Sequence, residues 1–175
     1  MASTEALRAR LTDLRESFDR AFSEPHADGV EVTLDLLRIR VGGDPYAVRL
    51  SQLAALEADR TITQLPSDHA ELLGIAGMRG GVVAVFDLAE LIGVQRAEAT
   101  RWLILAKGAP IAFAFSAFDG QLGVRPDAIA SADQSLGQTG QVVQIDGRAL
   151  PLIDIAGLVA ALERRPRAHR GDHAV

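Results

Sequence analysis

The chain has 175 residues, no cysteine and a formal net charge of −5, which fits one domain or two small lobes burying roughly 70% of the unfolded surface. Lack of cysteine excludes disulfides, thiolate metal sites and cysteine nucleophiles and agrees with a reducing compartment, while the acidic balance argues against a nucleic-acid binder, whose footprint is basic. At 48% hydrophobic and 23% charged the composition is that of an ordinary globular protein. No apolar run approaches the roughly 20 residues of a membrane span, and Glu5, Arg8, Arg10, Asp13 and Arg15 interrupt any signal-peptide order. A cytoplasmic location without membrane insertion is expected.

Residues 4–22 place Leu7, Leu11, Leu14, Phe18 and Phe22 on one face of an amphipathic helix, capped by Ser3 or Thr4 and followed by a linker through residue 29. That stripe suits docking on the protein's own core, or self-association. From Val30 the pattern changes to strands: Val32, Leu34 and Leu36 alternate, then Leu37, Ile39 and Val41 on a shifted register. Gly42–Pro45 is a turn, and Tyr46, Val48 and Leu50 share a face of the return strand. Residues 51–56 form a short strand or helical turn, 61–66 an extended segment ended by Pro66, and Ser67–Glu71 a capped single-turn helix.

The glycine-rich stretch 74–88 follows. Gly77, Gly80 and Gly81 bracket Met78 and Arg79 at the tip of a tight turn, so one guanidinium projects from a fixed position. Val82–Phe86 is a short strand, and Asp87 caps a brief helix with Glu90 as capping-box partner.

The second half repeats the first. Residues 80–92 align with 147–159 at a constant offset of 67 (154 − 87), and residues 44–48 align with 109–113 at an offset of 65 (110 − 45). Asp87 thereby falls on Asp154, the expected cap of the closing helix. Two related lobes follow, about 30–97 and 98–163, within a domain of residues 30–163. Short strands with glycine-rich turns every ten or so residues favour small barrels or a sandwich over βαβ units. Residues 164–175 read as a basic, flexible tail.

No catalytic or metal constellation assembles, and no cofactor is expected. His26, His69, His169 and His173 are scattered, and Arg170-Gly171-Asp172 breaks the one i,i+4 pair. No P-loop, dinucleotide fingerprint or nucleophile elbow is present.

The run from Gly74 through Gly77-Met78-Arg79-Gly80 to Asp87-Leu88 is similar to the signature of CheW-like domains, the adaptors of bacterial chemotaxis, and the resemblance extends over roughly residues 35–162. It implies a mainly β fold of two small five-stranded SH3-like barrels with short helices. It also implies a non-enzymatic scaffold that couples the cytoplasmic tip of chemoreceptors to the regulatory domain of a CheA-type histidine kinase, within receptor clusters. The matching partner-binding positions are Gly74, Gly77, Met78, Arg79 and Gly80, with Leu53 and Ala55 on the strand after the first hairpin. Here the family's Val-x-Glu-Ile reads Leu53-Ala54-Ala55-Leu56, and its Gly-Leu-x-Val-Asp reads Ala112-Phe113-Ala114-Phe115-Ser116. Both changes remove a carboxylate, which points to a divergent member with its kinase-facing surface altered. The alternative is a small-ligand-binding or regulatory β domain with one apolar pocket between the lobes.

Overall fold

The computed structural model describes residues 33–132 and 140–165. The helix expected over 4–22, its linker, and the tail beyond residue 165 lie outside them. The described residues hold eleven strands and two α-helices, besides two single-turn 3-10 helices at Leu50–Gln52 and Pro126–Ala128: β1 (Leu34–Val41), β2 (Asp44–Arg49), β3 (Leu53–Ala58), β4 (Leu72–Met78), β5 (Gly81–Asp87), α1 (Leu88–Ile92), β6 (Trp102–Ala106), β7 (Ile111–Phe115), β8 (Ala117–Val124), β9 (Ile129–Ser131), β10 (Gln141–Ile145), β11 (Arg148–Ile153) and α2 (Ile155–Glu163). They form a six-stranded sheet in the order β8-β1-β2-β11-β10-β9 and a five-stranded sheet in the order β3-β6-β7-β5-β4. The expectation of a mainly β, two-lobed fold holds, with six strands rather than five in one sheet. The extra strand is β9. Its counterpart before β4 is reduced to a single bridge between Thr63 and Ile75.

The internal repeat is real in three dimensions. At the offset of 67, β5 and α1 superpose in sequence on β11 and α2, with Leu88 opening one helix and Ile155 the other. The parallel pairings agree as well. Val85 faces Ala112 and Phe86 faces Phe113, while their counterparts Leu152 and Ile153 face Ala47 and Val48.

The sheets do not divide the chain at residues 97 and 98. The six-stranded sheet takes β1 and β2 from the first half and β8 to β11 from the second, and the five-stranded sheet takes β3 to β5 from the first and β6 and β7 from the second. Each repeat gives its opening hairpin to one sheet and its later strands to the other. Sequence similarity between halves reveals the units that repeat, not which copy pairs with which, because both copies offer the same strand faces.

Apolar side chains sit on both faces of the sheets. Between them lies the largest cluster, with Leu37, Ile39, Val41 and Val48 of one sheet against Ile104, Phe113 and Phe115 of the other, closed by Leu88, Ile92 and Ile155 from the helices. A second cluster around Met78, Val83, Val85 and Leu103 fills the five-stranded sheet, and a third around Leu36, Ala47, Val143 and Leu152 fills the six-stranded one. The shifted alternation along β1 follows from this arrangement: Leu36 enters the third cluster and Leu37, Ile39 and Val41 the first. Between Ser67 and Glu71 the expected helix is absent. The Ser67 hydroxyl accepts the His69 N–H at 3.1 Å and the His69 carbonyl accepts the Leu72 N–H, so a local side-chain turn replaces it. At the other end Arg164 and Arg165, expected in the tail, finish α2: Arg164 bonds the Ala160 carbonyl at 3.0 Å and Arg165 pairs with Glu71.

Candidate surface at the tip of the five-stranded sheet

The β4–β5 hairpin closes with Met78 opposite Gly81, leaving Arg79 and Gly80 as a two-residue turn with φ of 47° and 78°. Two consecutive left-handed residues define a type I′ turn, whose twist matches that of the flanking strands. Gly80 adopts it freely, whereas Arg79 does so at a cost of roughly 1–2 kcal/mol. A hydrogen bond opposes that strain: the Arg79 Nη1 donates to the Ala54 carbonyl at 2.5 Å. The Ala54 carbonyl is positioned for this because β3 carries a register irregularity between Leu53, opposite Ala106, and Ala55, opposite Leu105. Since β3 and β4 are the two edges of the five-stranded sheet, the arginine spans from one edge to the other.

Beside the turn, Gly77 faces Val82 across the hairpin. Val82 is 68% exposed, the more exposed of the two large apolar side chains left open to solvent among the described residues. Gly77 puts no side chain over it. The tip therefore presents an isopropyl group, bare backbone at Gly77 and Gly80, and a guanidinium, flanked by the half-buried Leu53 and Ala55 on β3.

Not every expected position reaches this surface. Met78 is 2% exposed and belongs to the sheet's interior cluster; strand alternation turns it inward when Gly77 and Arg79 face out. Gly74 is buried, with φ of 139° and the Thr63 carbonyl only 2.1 Å from where a Cβ would stand. Both hold the hairpin from beneath. Val82 carried no sequence signal, since period-two alternation cannot be read within Val82-Val83-Ala84-Val85-Phe86, a run of apolar residues only.

The two aspartates also differ. Asp87 is fully buried and caps α1, its Oδ1 accepting the Ala89 N–H at 2.9 Å while Oδ2 pairs with the Arg96 guanidinium. Its own N–H donates to the Glu71 carbonyl at 2.7 Å, so Glu90 does not complete a capping box. Asp154 makes no side-chain cap bond to α2, contrary to expectation. Gln52 takes that role from the short 3-10 turn Leu50–Gln52: its Oε1 accepts the Ile155 N–H at 3.0 Å and its Nε2 donates to Asp154 Oδ1 at 2.7 Å. A glutamine over a hundred residues distant in sequence leaves no local signature of this. Ser116, where the resemblance implies a carboxylate, donates its hydroxyl to the Arg40 carbonyl at 2.9 Å.

Among the described residues no group of three or more His, Asp or Glu side chains could hold a metal ion, and no helix is long and apolar enough to cross a membrane. The small cavity between the sheets, beside Asp87 and Arg96, measures about 10 Å³, room for at most one water.

Comparison with known proteins bears on this surface. The chain is 24% identical over 141 residues to a chemotaxis protein CheW of Rhizobium meliloti, covering 74% of this chain and 90% of that one. It is 27% identical over 66 residues, 38% of this chain and 43% of the other, to a probable chemotaxis protein CheW of Rhizobium etli. Its fold is similar to the crystal structure of the scaffolding protein TtCheW from Thermoanaerobacter tengcongensis, with a TM-score of 0.64 and 16% identity over 73% of this chain and 92% of that one. The model of the CheW-like domain matches residues 35–163, and with that match covering most of its length the chain belongs to the CheW-like family of chemotaxis scaffold proteins.

Proposed function

We propose that this protein is a non-enzymatic adaptor in a bacterial chemosensory pathway, coupling methyl-accepting chemoreceptors to a CheA-type histidine kinase in cytoplasmic receptor clusters. The observation that carries this reading is the β4–β5 tip. A solvent-facing guanidinium fixed on the Ala54 carbonyl stands next to an exposed valine, the mixture of apolar contact and directed donors typical of protein interfaces. Arg79 uses one of its five donors in that bond, and the rest remain for a partner's carboxylate or carbonyls. The kinase-facing side is proposed to be altered, since Ala55 offers no charge and the Ser116 hydroxyl is committed internally. The tightness of the cavity between the sheets disfavours a small-ligand site there.

Pull-down of the purified chain against a chemoreceptor cytoplasmic tip, and separately against the regulatory domain of the kinase from the same cell, tests the reading. Receptor capture reduced about 30-fold or more by Arg79→Ala, the effect of removing a hot spot of ~2 kcal/mol, is the expected result, with kinase capture weak. Strong capture of both partners would refute the altered kinase side. Capture of neither by the folded protein would refute the adaptor reading.

A further inference from the structure

The six-stranded sheet opens at one end into a cleft of about 590 Å³ between the start of β2 and the tip of the β10–β11 hairpin. Its origin is legible by comparing the two repeats. In the five-stranded sheet the parallel ladder of β5 and β7 runs over four pairs, Ala84–Ile111 to Asp87–Ala114, and the Ala84 N–H donates to the Pro110 carbonyl at 3.0 Å. At offsets of 67 and 65 (151 − 84 and 110 − 45) the counterparts of Ala84 and Pro110 are Pro151 and Pro45. Pro151 has no N–H to donate. The equivalent bond is therefore missing, and the ladder between β11 and β2 is reduced to Leu152–Ala47 and Ile153–Val48. The hairpin tip parts from β2 where the ladder stops.

Three arginines line the gap. Arg38 and Arg40 occupy alternate positions of β1, and Arg148 begins β11; all three are exposed. Asp119 from β8 accepts Arg40 Nε through both carboxylate oxygens, at 3.2 and 2.9 Å, and its carbonyl accepts Arg38 Nη2 at 3.3 Å. That bracing holds two guanidiniums upright and neutralises only one. Arg148 has no hydrogen-bond or ion-pair partner among the described residues, and Asp146 at the hairpin turn is the one other acid in the lining. The floor is apolar: Pro45 lines it with Ile145 and Leu150, which pack on the sheet's interior cluster. A locally cationic rim in a chain of net charge −5, over an apolar floor, complements an anion with an apolar body rather than a bare anion or a nucleic-acid backbone.

We propose that this cleft docks an extended peptide segment of a partner protein in which carboxylate and apolar side chains alternate. In an extended chain alternate side chains point to opposite sides, so apolar groups reach the Pro45–Ile145–Leu150 floor while carboxylates meet Arg38 and Arg148 at the rim. The site lies on the sheet that does not carry Arg79, and it stands or falls independently of the adaptor reading.

The test is fluorescence anisotropy of the full chain with a fluorescein-labelled synthetic peptide, Glu-Leu-Glu-Ile-Glu-Phe, and its Gln-Leu-Gln-Ile-Gln-Phe analogue. Saturable binding of the acidic peptide is expected, weakening with salt as exposed charge pairs do. The analogue, and the double variant Arg38→Glu/Arg148→Glu, should each bind at least tenfold more weakly. Lys107→Glu, an equal change of charge per site on an exposed turn of the other sheet, should leave the affinity within twofold. Both substituted sites are exposed, and thermal melts establish that each variant is folded. Amide shifts on titration should concentrate in β1 and the β10–β11 hairpin. Equal binding of the two peptides, an unaffected double variant, equal loss with Lys107→Glu, full displacement by equimolar inorganic phosphate, or shifts centred on Arg79 would each overturn the proposal.

Discussion

Gly74 and Gly77 are three residues apart on β4, yet an alanine should have opposite consequences at the two positions. At Gly74 the backbone has φ of 139°, and an added Cβ would stand 2.1 Å from the Thr63 carbonyl oxygen and 2.9 Å from the Gln64 Cα. Contacts below 3.0 Å force a shift, and the atoms that must move are backbone. They are also tied in place: Thr63 and Ile75 exchange two hydrogen bonds, at 2.8 and 2.9 Å. Holding an L-residue in that region of φ costs about 1–3 kcal/mol, and losing two backbone bonds about 1 kcal/mol each, a total near 3–5 kcal/mol. For a chain of this size about 2–4 °C of Tm accompanies each kcal/mol, so Gly74→Ala should melt roughly 6–20 °C below the wild type. Gly77 has no atom within 4 Å of the added Cβ and no left-handed φ; in a strand Gly→Ala there should be neutral or slightly stabilising. Parallel melts by circular dichroism decide the matter. A Gly74→Ala protein melting within 2 °C of wild type, or a Gly77→Ala protein falling as far as Gly74→Ala, would refute the assignment of Gly74 to packing and Gly77 to the surface.

Two further outcomes follow from individual contacts. Gln52→Ala removes the side chain that caps the N-terminus of α2, so it should cost about 1 kcal/mol, and Asp154→Ala should cost less; urea midpoints in which Asp154→Ala is the more damaging would invert the assignment. Tyr46 is the single tyrosine of the chain, and burial, then the neighbouring Asp44 carboxylate, raises its pKa above the usual 10.0. The unfolded phenol ionises near 10 while the folded one stays protonated, so its contribution to stability is constant below pH 10 and is lost as pH rises toward the folded pKa. Tyrosinate absorbance should titrate above pH 10 in the folded protein, and Tyr46→Phe should lose less stability between pH 9 and 11; a midpoint at or below 10 would contradict the burial argument.

The first hairpin, the β4–β5 turn and the repeat were legible because each rests on local chemistry. Gly42-Gly43 and Arg79-Gly80 supply the positive φ that two-residue hairpins need, and Asp87 stands where strand gives way to helix. Legibility ends where an interaction is remote. Nothing near Asp154 indicates that Gln52 caps its helix, and nothing near Arg79 indicates that its guanidinium rests on β3. The exchange of hairpins between repeats is hidden for a related reason: two homologous halves present equivalent edges, and only the connections, Leu50–Gln52 from β2 to β3 and Ser116 from β7 to β8, decide that the chain crosses to the other sheet. The proline at 151 was visible all along, but its effect became apparent only beside Ala84, its counterpart in the other repeat.

That exchange bears directly on how a scaffold would present its surfaces. Both crossings between sheets are short, and the β2–β3 crossing reaches three other parts of the fold. Gln52 accepts the Lys107 N–H through its carbonyl at 2.9 Å, tying the β6–β7 turn, and caps α2 through its side chain; two residues later Ala54 receives Arg79. The Arg79 tip on one sheet and the arginine cleft on the other are thus joined through Gln52 and the shared core of Leu37, Val48, Ile104 and Phe113, with no flexible linker at the β2–β3 or β7–β8 crossing. Each sheet draws strands from both halves, so sliding one sheet over the other would break this shared core and strain both short crossings. With both proposed surfaces engaged, such a molecule would hold them at a fixed separation and orientation, so a partner at one end would be positioned, rather than activated, relative to a partner at the other.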